Sequence, residues 1–277
     1  MPKLHPRNLL IASLAAGWVA AAFAAGPTPG DAEMERFLLN AEIVDSEALG
    51  TGITKPYKLT LELDGTTRHA AFNYVDVYKP GVTKLPGGKT ETNFSDKYQY
   101  NRAAYLLDRR LGMNMTPVAV LRRWQGKSGT VVEWIDGVVT EHERTEQGLE
   151  PADPVLADHQ RAVMNLFDVL IANVDRNLGN ILWRTDDWKL YLIDTTRSFR
   201  QTKELPPAWA AKPASLPRAL LTELESLQED ELKSLLKDLV TGPQIKALLQ
   251  RRDLILEKIA VDRKSYGDHL VFQDSAP

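Results

Sequence analysis

Between Asp158 and Asp194 the chain switches from apolar to polar and back in an order that few folds can accommodate. Asp158 to Ala172 carries an apolar stripe at helical spacing. The next stretch, Asn173-Val174-Asp175-Arg176-Asn177-Leu178-Gly179-Asn180, is too polar to be a strand. Ile181-Leu182-Trp183 and Leu190-Tyr191-Leu192-Ile193 then read as a small hairpin turning through Asp186-Asp187, with Asp194 where the second strand ends. A hairpin built this way brings the residue that enters it, Asn180, to the same mouth as the residue that leaves it, Asp194. Asp175 lies in the loop leading in.

Those three side chains suggest a chemistry. A hard divalent cation such as Mg²⁺ takes carboxylate and carbonyl oxygens and keeps several other positions for water or phosphate. Asn180 and Asp194 supply two such oxygens, and Asp175 remains free to accept a hydrogen bond from a substrate hydroxyl. Taken singly, each is an ordinary turn former or helix cap. As a set, in a helix–loop–hairpin context, they lay out a phosphoryl-transfer site.

The front of the chain carries no fold information. Lys3 and Arg7 precede an apolar run from Leu9 to Ala22 broken only by Ser13, and Ala22-Phe23-Ala24 offers a cleavage site before Ala25. This is the pattern of a secretory signal peptide over residues 1–24, so a periplasmic or secreted protein is expected. Gly26, Pro27 and Pro29 follow at once, which argues against a longer bilayer span. No later segment is apolar enough to cross a membrane. The chain has no Cys, so stability must come from burial without disulfides. The formal charge of −3 becomes −5 when Lys3 and Arg7 are removed, and no basic block stands out, so no nucleic-acid partner is expected.

Along the mature chain, residues 25–47 read as a Gly/Pro-rich leader and an N-terminal helix over Glu33 to Ala41. Gly50-Thr51-Gly52 precedes Tyr57 to Leu63, which alternates with a period of two, and Asp64-Gly65 is a tight-turn signal before a returning strand over His69 to Val77. Residues 79–97 hold Pro80, Gly81, Pro86, Gly87 and Gly88 and read as a long loop. Tyr98 to Leu111 reads as a helix stopped by Gly112, and Val118 to Arg123 and Thr130 to Ile135 as two strands. Leu216 to Leu239 and Pro243 to Val261 read as two amphipathic helices, residues 202–215 as irregular, and residues 265–277 as a loose tail. The fold class is therefore α+β, with an antiparallel β lobe carrying one helix over residues 48–140 and a mostly helical lobe over residues 141–264.

The segment Asn173-x-Asp175-Arg176-x-x-x-Asn180, with Ile193-Asp194 downstream, resembles the atypical kinase-like proteins. That group spans the phosphatidylinositol kinases, HipA-type kinases and FAM20-type kinases. Leu49-Gly50-Thr51-Gly52 looks like the group's glycine loop, Ala70-Ala71-Phe72 like its third strand, and Ala103-Ala104-Tyr105-x-Leu107-Asp108 like its first-lobe helix. Val132-Glu133-Trp134-Ile135 looks like the segment linking the lobes, where adenine rests. The resemblance implies a two-lobed protein-kinase-like fold and a secreted enzyme that transfers a phosphoryl group from ATP or another nucleotide, with Mg²⁺ or Mn²⁺, to a hydroxyl on a protein, sugar or lipid. It implies Asp175 as catalytic carboxylate, Asn180 and Asp194 as metal ligands, and Gly50, Gly52, Lys55, Asn73, Glu133 and Trp134 around the nucleotide.

Three departures matter. Where the group has a phosphate-pairing Lys this chain has Asn73, where it has the Glu that holds that Lys this chain has Asn101, and the His of Asp-Arg-His is Asn177. Losing both members of the Lys–Glu pair is self-consistent, because a lone buried Glu would be an unpaired charge. Three readings stay open. Another cation, Lys55 or Lys79, takes over. Alternatively the chain is a pseudokinase or binding module, which the low ATP content of a periplasm favours. The third is transfer of a different part of the nucleotide, such as an adenylyl group.

Overall fold

The computed structural model describes residues 28–50, 56–88 and 90–274. The expected signal peptide, together with Thr51, Gly52 and Lys55 of the expected glycine loop, lies outside these described residues.

The chain enters through helix α1 (Pro29–Asn40), so the helix begins inside the stretch expected to be a leader. Thr28 caps it with Asp31 in a reciprocal pair. Strand β1 (Glu42–Ala48) follows, then β2 (Tyr57–Leu63) and β3 (Thr66–Asn73). Asp64 and Gly65 both take positive φ, 51° and 74°, as the two-residue turn between β2 and β3 requires. Leu59, Leu61, Ala70 and Phe72 face a core with Phe37 and Leu38 of α1.

Residues 76–97 are no loop. They form a second hairpin, β4 (Asp76–Lys84) with β5 (Thr90–Lys97), paired antiparallel with a bulge between Lys79 and Val82. Helix α2 (Gln99–Arg110) comes next, and β6 (Ala119–Trp124) and β7 (Lys127–Glu133) complete the first lobe. The order in the five-stranded sheet is β1-β2-β3-β7-β6. Asp108 of α2 is fully buried and accepts hydrogen bonds from Met115 N at 2.9 Å and Thr116 N at 3.3 Å. Its neighbour Arg109 reaches Asp31 at 3.0 Å, which ties α1 to α2.

The second lobe opens with β8 (Val138–Thr140) and the short helix α3 (Glu141–Glu146). Glu141 accepts from Trp183 Nε1 at 2.6 Å and Arg144 Nε at 2.8 Å, which ties α3 to β9. Helix α4 (Pro154–Leu170) buries Val163, Leu166, Phe167 and Leu170. Strands β9 (Ile181–Arg184) and β10 (Leu190–Leu192) form the expected hairpin, with β8 added to its edge. The expected single helix over 216–239 is two, α5 (Arg218–Ser226) and α6 (Glu229–Leu235), broken where Leu227 and Gln228 turn extended. Helix α7 (Gly242–Tyr266) runs through the lobe. The tail is anchored: Leu216 bridges to Phe272, and Val271 and Phe272 are buried. Among the described residues no helix is long and apolar enough to cross a membrane.

Candidate active site

Helix α4 ends at Leu170, and Ala172 turns the chain out of the helix with a φ of 48°. The loop that follows is held from below by Arg176. Its Nε and Nη2 donate to the two oxygens of buried Asp168 at 2.9 and 3.0 Å. Its Nη1 donates to Asn180 O and to Ile193 O, both at 2.7 Å. One guanidinium therefore fastens the loop to α4 and to both ends of the β9–β10 hairpin. Ile193 N also donates to Asn180 O at 3.2 Å. The convergence of Asn180 and Asp194 expected from the hairpin is present.

Each side chain has a distinct setting. Asn180 spends Nδ2 on Asp175 O at 3.0 Å, which leaves its amide oxygen as the atom able to face a cation. Asp194 has a φ of 51° and accepts from Thr196 Oγ1 through Oδ1 at 2.8 Å. Asp175 is part-exposed, and its carboxyl is held above the usual carboxylate range by burial, with the Asp194 and Glu91 charges adding to the rise and Arg197 opposing it. Arg197 Nη1 stands 4.0 Å from Asp175 Oδ2. Glu91 on β5 pairs with both Arg197 and Arg200, so the β4–β5 hairpin is docked on the segment after Asp194.

Asp194 also lines a small crevice with Asn101, Ala119, Val132, Leu192 and Thr195. Asn101 is neutral and committed: its Oδ1 accepts from Thr195 N at 2.9 Å and Thr195 Oγ1 at 3.0 Å. Asn73 lies opposite Thr130. Pairing places Lys58, Ala71 and Val132 on one face of the sheet, and Val132 lines the crevice. Glu133 pairs with Ala70 on the other face, where burial raises its carboxyl and Val118 N donates to it at 3.3 Å. Trp134 N donates to His69 O at 3.3 Å. Gly50 takes a φ of 63°, and Leu49 N donates to Pro56 O at 2.7 Å, closing the loop whose interior is not described. Lys79 stands on the exposed hairpin with its ammonium 5.6 Å from the Phe94 ring.

Two groups escaped the sequence reading. Lys58 has its ammonium 4.7 Å from the Trp134 ring centroid on the crevice face. Strand alternation alone marks it as facing opposite to Leu59 and Leu61. Asp96 is buried at the end of β5, and nothing local announces it.

The donor set suits a hard divalent cation: one carboxylate and one amide oxygen, with the remaining ligands to come from nucleotide oxygens or water. Among the described residues no three His, Cys, Asp or Glu side chains make a metal cage by themselves, so a cation here would depend on Asn180 and on the nucleotide.

Protein-family models and curated proteins give no match to this sequence. Solved structures do match the fold. A hydra Fam20 structure with sugar aligns at a TM-score of 0.65 and 14% identity, covering 91% of this chain and 95% of that one. The Golgi casein kinase with Mn/ADP bound aligns at a TM-score of 0.60 and 14% identity, covering 87% and 78%. The Helicobacter pylori proinflammatory kinase CtkA aligns at 0.53 and 13%, covering 85% and 98%. The chain thus has the two-lobed kinase-like fold, an α+β architecture shared with FAM20-type kinases.

Proposed function

We propose that this protein is a metal-dependent phosphotransferase, moving a phosphoryl group from a nucleotide to a hydroxyl. The observation that carries this reading is that Arg176 holds the Asn180 and Ile193 carbonyls together at one hairpin mouth, next to Asp194, while Asn180 Nδ2 holds the Asp175 carbonyl. A kinase-fold neighbour holding Mn and ADP supports nucleotide and divalent metal as the ligands. Asn180 and Asp194 would hold Mg²⁺ or Mn²⁺, which would neutralise charge on the nucleotide phosphates. Asp175 would orient the acceptor hydroxyl, and its raised proton affinity suits a group that takes a hydrogen bond as the hydroxyl attacks. Lys58, on the crevice face, is the described cation best placed to serve where Asn73 carries no charge. The acceptor class is a protein, sugar or lipid hydroxyl, and the compartment is the periplasm or outside, on the strength of the N-terminal sequence.

A binding module of the same fold is the second reading. Asn101 favours it, because this residue is neutral where the resemblance leads one to expect a carboxylate, and its Oδ1 is taken up by Thr195. Thermal shift and product analysis separate the two. Stabilisation by nucleotide only with divalent metal, with turnover lost in Asp194→Ala, supports the enzyme. Binding with no turnover, or stabilisation by a peptide or glycan alone, leaves the module, and no binding of metal–nucleotide at all removes the enzyme. Product mass distinguishes phosphoryl from adenylyl transfer.

A further inference from the structure

Asp96 is 8% exposed, yet among the described residues nothing donates a hydrogen bond to its Oδ1. A buried ionised carboxylate is costly unless a cation or a donor meets it. Its surroundings are set by β5. Lys97 N donates to Thr196 O at 2.9 Å, which sews the strand end to the segment just beyond Asp194. The Thr196 hydroxyl donates to Asp194 Oδ1 at 2.8 Å and also stands against the Asp96 carboxyl. One hydroxyl has one proton, so it cannot satisfy both carboxylates.

The charges around Asp96 do not balance. Burial pushes its carboxyl up, and the neighbouring Asp194 and Asp175 charges push the same way. Arg197 opposes them, but its guanidinium is paired with Glu91 and leans towards Asp175. Arg200 is paired with the same Glu91. Among the described residues Asp96, Asp175, Asp194 and Glu91 therefore face two guanidiniums, which leaves an excess of two negative charges. That excess matches one divalent cation. The resemblance leads one to expect a carboxylate on α2, but α2 presents the amide of Asn101. A carboxylate reaches the same region from β5 instead.

We propose that Asp96 is a cation-binding carboxylate, delivered by the β4–β5 hairpin to the divalent ion that Asn180 and Asp194 hold. The inference rests on the metal–nucleotide reading of the site. It explains why the hairpin is there, since β5 carries one ligand and is locked down through Glu91.

The test is Mn²⁺ binding to the full chain in the presence of ADP, followed by the electron paramagnetic resonance of free Mn²⁺. Asp96→Asn is expected to weaken Mn²⁺ binding about tenfold or more. Asp194→Asn is expected to abolish it, and Asp76→Asn, which removes a partner of Lys97 outside the site, to leave it unchanged. Without metal, Asp96→Asn is expected to melt above the wild type, because an orphaned charge is gone. Mn²⁺ affinity of Asp96→Asn within twofold of wild type, with Asp194→Asn not binding, overturns the assignment and leaves the metal–nucleotide reading standing. A wild type that binds no Mn²⁺ with ADP removes both. Amide exchange on the wild type needs no variant: Mn²⁺ with ADP should slow exchange across Ser95 to Lys97, and unchanged exchange there also overturns the assignment.

Discussion

Asp168→Ala strikes the site without touching any residue proposed to meet a ligand. Asp168 and Arg176 are joined by two charge-assisted bonds of 2.9 and 3.0 Å, with side-chain exposures of 11% and 9%. Removing the carboxylate leaves the guanidinium buried and unpaired, which costs about 3–5 kcal/mol. Asn173 Nδ2 also loses its 2.9 Å acceptor. At about 2–4 °C per kcal/mol for a chain of this size, the melting temperature should fall by roughly 6–20 °C. Arg176→Met should cost a similar amount, since it strands the Asp168 carboxylate. The double variant should cost much less than the sum. Both charges are then gone, and of the two carbonyls released Asn180 O keeps the bond from Ile193 N. A coupling of at least about 2 kcal/mol is expected from urea titrations of the four proteins. Single variants within about 1 kcal/mol of wild type, or strictly additive costs, would refute the view that this pair fastens loop, helix and hairpin together.

Three further outcomes can be checked. Gly129→Ala places a Cβ 2.4 Å from the Phe72 ring and 2.6 Å from Asn73 O, so thermal melting should show a loss of about 1–3 kcal/mol from overpacking. Arg251 is fully buried with no carboxylate partner among the described residues, and burial pushes its guanidinium down to about 10. It donates to the carbonyls of Leu170, Arg200 and Thr202, so Arg251→Met should cost about 1–3 kcal/mol per carbonyl orphaned, and far more than Met at exposed Arg123. For Glu133, burial raises the folded carboxyl above its unfolded value of 4.5. Its contribution to stability is therefore fully present below about 4.5 and is lost as pH rises through the higher folded value. Glu133→Gln keeps an acceptor for Val118 N, so it should match the wild type in acid and be the more stable protein at neutral pH by chemical denaturation.

Much of the frame is readable from local pattern. The alternation of Tyr57 to Leu63 and the α2 and α4 stripes are legible because each buries one face and so imprints its own period on the sequence, whereas the β9–β10 hairpin, buried on both faces, is legible as two apolar runs around a polar turn. The β4–β5 hairpin is hidden for the converse reason. Its residues from Asp76 to Thr92 are mostly exposed on both faces, so no alternation marks them as strands. β1 hides likewise as a solvated edge strand. The break at Leu227 and Gln228 falls inside a stretch whose apolar spacing continues across it.

The site divides along the same line. The sequence alone determined that the chain at Asn180 and at Asp194 should come together, with Asp175 in the loop leading in, since a short hairpin joins its two ends whatever the rest of the chain does. Which charges surround them was decided by tertiary structure. Glu91 and Asp96 come from a hairpin far back in the chain, and Arg197 and Arg200 from the segment after Asp194. Lys58 comes from β2 on the opposite side of the crevice. Local spacing sets what neighbours along the chain can do together, whereas an electrostatic field sums over everything that folding brings near.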